Sequence, residues 1–269
     1  MAEIFAGIDG GAAPVEGIYA GVDGRAREVV KAYAGVDSRA RLIWQALPPL
    51  HPVFGENSWE AISAASVRGR VPPSWTVGSR KAITLADGQQ LIMQIYGLNH
   101  DTLEDGQTAG ITLGVEHPPS PTMGMNSTGT NVGSFAGSER YSWLSGEFWN
   151  LLPTGLRAAV RPALKRTSAG GGSVGILTQA LPIFLFSEVE IYGQITHSAA
   201  GEGSRYPIFT DGLTPIAKRL GDETGANIFW WQRSPALANG TSFCDVNFSG
   251  LPNMMDARAS RGICFGVCV

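Results

Sequence analysis

Charge is scarce in this chain. Aspartate, glutamate, lysine and arginine together make up 16% of its 269 residues, against roughly 25% in ordinary soluble domains. The net charge of −3 gives no electrostatic case for a nucleic-acid partner or for an anionic membrane surface. Cysteine is equally sparse. The three present, Cys244, Cys264 and Cys268, are an odd number crowded at the C-terminal end, which is not a disulfide framework and reads as buried thiols. Apolar runs such as Ile183-Phe-Leu-Phe186 are too short to span a bilayer, so no membrane insertion is expected. No secretory signal is read at the N-terminus, which implies assembly in a cytoplasm.

Catalytic and metal-binding patterns are missing as well. His51, His100, His117 and His197 share no ligand spacing with each other or with a cysteine, so no metal site is expected. Ser168-Ala-Gly-Gly-Gly-Ser-Val-Gly175 lacks the Lys-Ser/Thr of a phosphate-binding loop, and no cofactor is implied. Asn99-His-Asp101 reads as a polar turn. Glu188 and Glu190 fall in an apparent strand, where alternation points them to opposite faces and prevents them from acting as a paired acid and base. The expectation is that the protein is not an enzyme. Glu188 reads as a buried structural partner for Arg140 or Arg233.

What the chain does have is glycine, 35 of them, with 16 prolines and 43% hydrophobic residues. That balance supports a core built from short strands, short helices and long loops. It also has a repeat: Phe5-Ala-Gly-Ile-Asp-Gly, Tyr19-Ala-Gly-Val-Asp-Gly-Arg-Ala-Arg and Tyr33-Ala-Gly-Val-Asp-Ser-Arg-Ala-Arg recur with a period of 14 residues. Each copy fits a β-hairpin around a two-residue Asp-Gly or Asp-Ser turn. Such small hairpins are marginal alone, so residues 1–46 read as a docking or oligomerisation segment. Leu47-Pro-Pro-Leu-His-Pro-Val implies a stiff linker over 47–55.

Residues 56–269 read as an α+β domain. Asn57-Ser-Trp-Glu-Ala-Ile-Ser-Ala-Ala reads as a capped short helix with Trp59 and Ile62 facing inwards, and Ser138 as the cap of a second helix. Tyr141, Leu144, Phe148 and Leu151 recur at helical spacing. A helical piece is expected over 156–160, and a two-stranded pair around Asp87-Gly88. Strands are expected over 182–193, 228–234, 241–248 and 262–269. Trp230 and Trp231, on opposite faces of one strand, read as structural, with Arg233 stacked or paired beside them.

The order of these motifs carries a resemblance. Ser138-Glu-Arg-Tyr-Ser-Trp-Leu, Leu185-Phe-Ser-Glu-Val-Glu-Ile-Tyr-Gly, Glu202-Gly-Ser-Arg-Tyr, Trp230-Trp-Gln-Arg-Ser-Pro and Arg261-Gly-Ile-Cys-Phe-Gly-Val-Cys resemble a family of domains common in phages and prophages of gut Firmicutes. That family is similar to the C-type-lectin-like fold of formylglycine-generating-type domains and of the variable receptor-binding proteins of diversity-generating retroelements. The resemblance covers residues 56–269, and the hairpin repeats resemble those at the front of phage tail-fibre and virion-surface proteins. One departure is that Gly262-Ile-Cys-Phe-Gly-Val stands where the family's last strand reads Gly-Val-Arg-Pro-Ala-Phe.

The resemblance implies a virion protein of the tail-fibre or tail-tip type. Residues 1–46 would dock to other virion proteins or to sister chains, with a trimer favoured, and the lectin-like head would bind a bacterial surface glycan or protein. It places the ligand face on the loops before the last strand, which here hold Asn247, Asn253, Met254, Met255, Asp256 and Arg258. A decoration protein that stabilises the particle without a receptor is the alternative. A formylglycine-generating-type enzyme finds no reactive cysteine, because Cys264 and Cys268 sit in an apolar strand.

Overall fold

The structure is a computed structural model and describes residues 5–8, 11–14, 18–22, 24–29, 31–36, 39–45, 49–210, 212, 216–222 and 224–269. It divides into two compact units, Met1–Leu50 and His51–Val269.

The first unit consists of three separate antiparallel pairs: β1 (Phe5–Ile8) with β2 (Gly11–Pro14), β3 (Tyr19–Val22) with β4 (Arg25–Glu28), and β5 (Lys31–Val36) with β6 (Arg39–Gln45). Ile8 pairs with Gly11, Val22 with Arg25 and Val36 with Arg39, so the three 14-residue copies share one register. The turn dipeptides themselves lie outside the described residues except Gly24, whose φ of 73° is the left-handed value that a type I′ turn demands. None of the described side chains in this unit is buried.

The second unit begins inside the stretch expected to be a linker. From His51 onward the 47–55 segment is packed: Phe54 opens one 3₁₀ turn (Phe54–Glu56) and is buried edge-on against Trp75, ring centroids 5.4 Å apart. Asn57 ties this turn down by donating to the carbonyls of His51, Val53 and Phe54. A proline-rich stretch that carries a phenylalanine into the core behaves as structure. α1 (Trp59–Val67) follows with Ser58 as its cap. Ile62 is buried as expected, whereas Trp59 is only half-buried, beneath the Lys81 ammonium.

The central sheet runs in the order β12-β19-β9-β8-β7 and is antiparallel throughout. Its members β7 (Arg80–Thr84), β8 (Gln90–Leu98) and β9 (Ile111–Val115) come first. Then follow α2 (Glu139–Trp143), capped by Ser138, a π turn (Leu144–Phe148), α3 (Trp149–Leu151) and α4 (Thr154–Ala159). β10 (Ala163–Ser168) and β11 (Ile176–Leu181) form a separate pair, before β12 (Phe184–Leu185) returns to the sheet.

Both faces of the central sheet are covered. Phe148 meets Phe265 on one side, and the Tyr96, Phe186, Tyr206 and Phe209 cluster fills the other. Two glycines make room for that cluster. Gly114 and Gly266 are direct cross-strand partners; a Cβ on Gly114 would lie 2.5 Å from the Tyr96 ring, and one on Gly266 2.7 Å from Phe186.

The strand expected over 182–193 is corrected. Only Phe184–Leu185 is extended; Ser187 then caps α5 (Glu188–Tyr192), receiving from the Glu190 N–H while Glu190 receives from the Ser187 N–H. This capping box satisfies two orphan helix donors at once, and Gly193 at φ 74° ends the helix. α6 (Pro207–Thr210) and the short pair β13 (Lys218–Arg219) and β14 (Asn227–Ile228) lead to a second sheet, ordered β17-β16-β15-β18. It holds β15 (Trp230–Pro235), β16 (Ser242–Val246), β17 (Pro252–Asp256) and β18 (Gly262–Ile263), and the chain closes on β19 (Phe265–Cys268). Short helices beside antiparallel strands make this unit α+β.

Candidate ligand-binding face

β15 carries the structural residues read from the sequence. Trp230 and Trp231 are fully buried. Each lies under a loop and donates its indole N–H to a loop carbonyl: Trp230 to Ile216 at 3.0 Å, Trp231 to Met123 at 2.9 Å. Arg233 is also fully buried, paired with Glu190 and not with Glu188, and it donates further to the carbonyls of Leu185, Arg166 and Glu202.

The expected partner of Glu188 is therefore corrected. Sitting in the first turn of a helix, Glu188 instead receives the backbone N–H groups of Thr196, His197 and Ser198 and the Ser198 hydroxyl. Arg140, its other suggested partner, donates to the Gly124 carbonyl and stacks on Trp143.

Around Arg233 lies a charged cluster that sequence reading missed. Lys165 bridges Asp101 at 2.6 Å and Glu190 at 3.0 Å, and Tyr206 donates to Asp101 at 2.7 Å. Burial disfavours the charged form of Asp101, but Lys165, His100 and Thr112 outweigh it and hold the carboxyl well below its usual range. Glu190 is lowered in the same way, burial being overcome by Arg233 and Lys165. Glu202 goes up, because burial dominates despite Arg233 and Ser234. Arg233, Lys165, Asp101, Glu190, Glu202 and Tyr206 are each no more than 7% exposed, with His100 at the half-buried edge, so the cluster clamps α5 to β10 and β15. The expected polar turn at Asn99-His-Asp101 is thus the anchor of an internal ion network. The three thiols are buried too, and burial pushes Cys264 up to about 12.

The six residues expected to form the ligand face lie on one hairpin but do not converge. Asn247 closes the β16–β17 turn, its side-chain oxygen receiving the N–H groups of Ser249 at 2.8 Å and Leu251 at 3.0 Å. Asp256 and Arg258 pair with each other at the far end of β17, at 2.8 and 3.0 Å. Between them, Asn253, Met254 and Met255 belong to an edge strand and not to a loop, in register with Asp245, Cys244 and Phe243. The structure therefore separates Asn247 and the Asp256–Arg258 pair by the length of the strand.

One part of this hairpin holds a set of interlocked polar and aromatic side chains. Asp245 is fully buried, and its two carboxylate oxygens hold Asn253 Nδ2 and Arg261 Nε, each at 2.7 Å. Burial raises the Asp245 carboxyl, although Arg261 and Asn253 both favour its ionised form. The Arg261 guanidinium lies 4.4 Å over the Phe229 ring, which meets Phe248 edge-on at 5.6 Å. Phe248 is 55% exposed and Leu251 60%. Of this patch only Asn253 was legible in advance; Phe229, Phe248, Asp245 and Arg261 are brought together by the β15-β16-β18 pairing.

At the end of β16 opposite Phe248, Asn131 binds three loops together, donating to the carbonyls of Ala236, Asn239 and Ser242 and receiving from Gly171 N–H. The loops around the sheet end are thereby fixed relative to one another. A separate open cleft of about 290 Å³ between the α1–β7 connection and β8 is lined by Val71, Pro72, Trp75, Val77 and Asn99 among others, with no titratable side chain.

A family model described as a domain of unknown function (DUF6273) matches residues 109–264, from just before β9 to just after β18, and so takes in the whole patch. No curated protein and no solved structure matches the chain. With the match extending over more than half of its length, the chain belongs to the DUF6273 domain family.

Proposed function

We propose that the protein is a bacteriophage virion component of the tail-fibre or tail-tip type, in which residues 1–46 dock to other virion proteins or sister chains and a C-type-lectin-like domain adheres to a bacterial surface receptor. The observation that carries this reading is the patch on the second sheet, where a buried carboxylate orients an arginine and an asparagine beside an exposed aromatic ring. Preorganised polar groups next to an amphipathic anchor are what selective recognition at a surface requires. The motif resemblance to phage domains supports the virion setting. The three in-register hairpins, with no buried side chain among the described ones, support a segment that is completed by neighbours. Multivalency then multiplies a modest single-site affinity.

The test is adhesion of the fluorescently labelled full chain to a panel of intact bacterial cells. Saturable binding to some strains and not to others is expected. Uniform absence of binding, with the chain found on purified particles, would replace adhesion by decoration of the particle.

A further inference from the structure

We propose that the patch of Arg261, Asn253, Phe229 and Phe248 is a binding site for a neutral hexopyranose, held through two adjacent hydroxyl groups. This rests on the adhesion reading above and specifies the ligand chemistry of its face.

The argument starts from Asp245. Its carboxylate is fully buried and both oxygens are engaged, one by the Asn253 amide nitrogen and one by Arg261 Nε. Because the amide nitrogen is turned inward, Asn253 presents its Oδ1, an acceptor, on the other side. Arg261 spends Nε on Asp245 and Nη1 on the Ser260 carbonyl at 3.0 Å. That leaves the Nη2 donors without a hydrogen bond among the described residues.

One donor of Arg261 and one acceptor of Asn253 are thus left over, on two side chains held by the same carboxylate. A hydroxyl both accepts and donates. Two adjacent hydroxyls satisfy the pair: one accepts from Arg261 Nη2 while its neighbour donates to Asn253 Oδ1.

Other ligand classes fit this arrangement less well. A carboxylate or phosphate would satisfy the guanidinium but set its own lone pairs against Asn253 Oδ1. It would also find no net charge to attract it, since Arg261 is paired with Asp245. An ammonium group would satisfy the amide oxygen and be repelled by the guanidinium. The flank completes the match. Phe248 is 55% exposed beside Phe229 and offers a ring face to the C–H surface of a sugar, with Leu251 next to it. Aromatic faces reward such contacts beyond their buried area.

The experiment is titration of the full chain, by calorimetry and by ligand-observed NMR, with the methyl glycosides of glucose, galactose and mannose. N-acetylneuraminate and glucuronate are the anionic comparisons, and each titration is repeated with a chelator present. Millimolar binding of at least one neutral glycoside, unchanged by the chelator, is expected. N253A should abolish it and F248A should weaken it about tenfold or more. Because Phe248 is exposed, F248A probes the site without disturbing Asp245, so the proposal does not depend on N253A folding.

No binding of any neutral glycoside would overturn the proposal. So would a preference for the anionic sugars, a need for a divalent cation, or wild-type affinity in F248A. Cell adhesion separates the two readings. If the full chain adheres to cells and F248A adheres equally well, the saccharide site fails and adhesion stands. If a neutral glycoside binds in a Phe248-dependent way but no cell is bound, adhesion fails and the site stands.

Discussion

Gly114 and Gly266 show how tightly single residues constrain this core. They face each other across β9 and β19, and each yields its Cβ position to an aromatic ring. Gly114→Ala would place a methyl 2.5 Å from the Tyr96 ring, which is itself stacked on Phe186 at 4.9 Å. The ring is fully buried, so urea denaturation should show a loss of about 1–3 kcal/mol, with an unchanged m value.

The buried carboxyls make opposite pH contributions. Asp101 and Glu190 are lowered below 3.8 and 4.5, the ordinary values for their side chains. Their stabilisation is present above those values and is lost as pH falls through the lowered ones. Glu202 is raised above 4.5; its contribution is present below 4.5 and is lost as pH rises through the folded value. Glu202→Gln removes that ionisation, so the variant's melting temperature should fall less than the wild type's as pH rises from 4.5 towards neutrality. An identical pH profile in the two proteins would place Glu202 outside this balance. None of these pairings was legible in the sequence, because Asp101, Lys165, Glu190 and Arg233 are far apart in the chain and meet only through the packing of α5 on β15.

At the scale of elements, local chemistry that sets its own geometry was readable and geometry set by neighbours was not. The Asp-Gly turns identified the hairpins and the β7–β8 pair, since a positive φ is demanded there and few residues accept it. Ser138 identified one helix start and the Asn57-Ser-Trp-Glu stretch another. The 182–193 stretch misleads because Ile-Phe-Leu-Phe-Ser-Glu-Val-Glu-Ile-Tyr alternates like a strand, yet Ser187 and Glu190 stand at capping-box spacing, and that signal wins. Ser187 also donates to the Glu202 carbonyl at 3.1 Å. Ser187→Ala should therefore cost about 1–2 kcal/mol. Loss of amide exchange protection should be concentrated over Glu188–Gly193 and not spread across the sheet. β17 misleads in the other direction: Pro252, Asn253 and Asp256 have loop chemistry, but a proline is tolerated at the first position of an edge strand, where no ladder donor is needed. The patch around Asp245 was correspondingly visible at one residue only. Asn253 lay in the expected segment, whereas Arg261 and Phe229 reach it only because β18 and β15 run parallel side by side.

For the whole molecule, the decisive contrast is between a unit with a buried core and one in which none of the described side chains is buried. His51–Val269 buries its sheets between helices and loops. Met1–Leu50 is three disjoint two-stranded pairs, and its Tyr19 and Tyr33 are 66% and 57% exposed. A two-stranded hairpin lacking a covered face does not offset its own ordering entropy, so the repeats gain stability only when other surfaces cover them. Copies of the same chain present the same repeated surface, and symmetric self-association is the commonest way such faces are closed. Sedimentation equilibrium of the full chain should then give an oligomer, a trimer on the present reading, while a chain starting at His51 should sediment as a monomer with its unfolding midpoint unchanged. Adhesion to cells should separate the two forms further, because three linked sites raise the apparent affinity by about 10²–10⁴ without any new contact. A monomeric full chain that adheres as strongly as its oligomer would sever the repeats from this role.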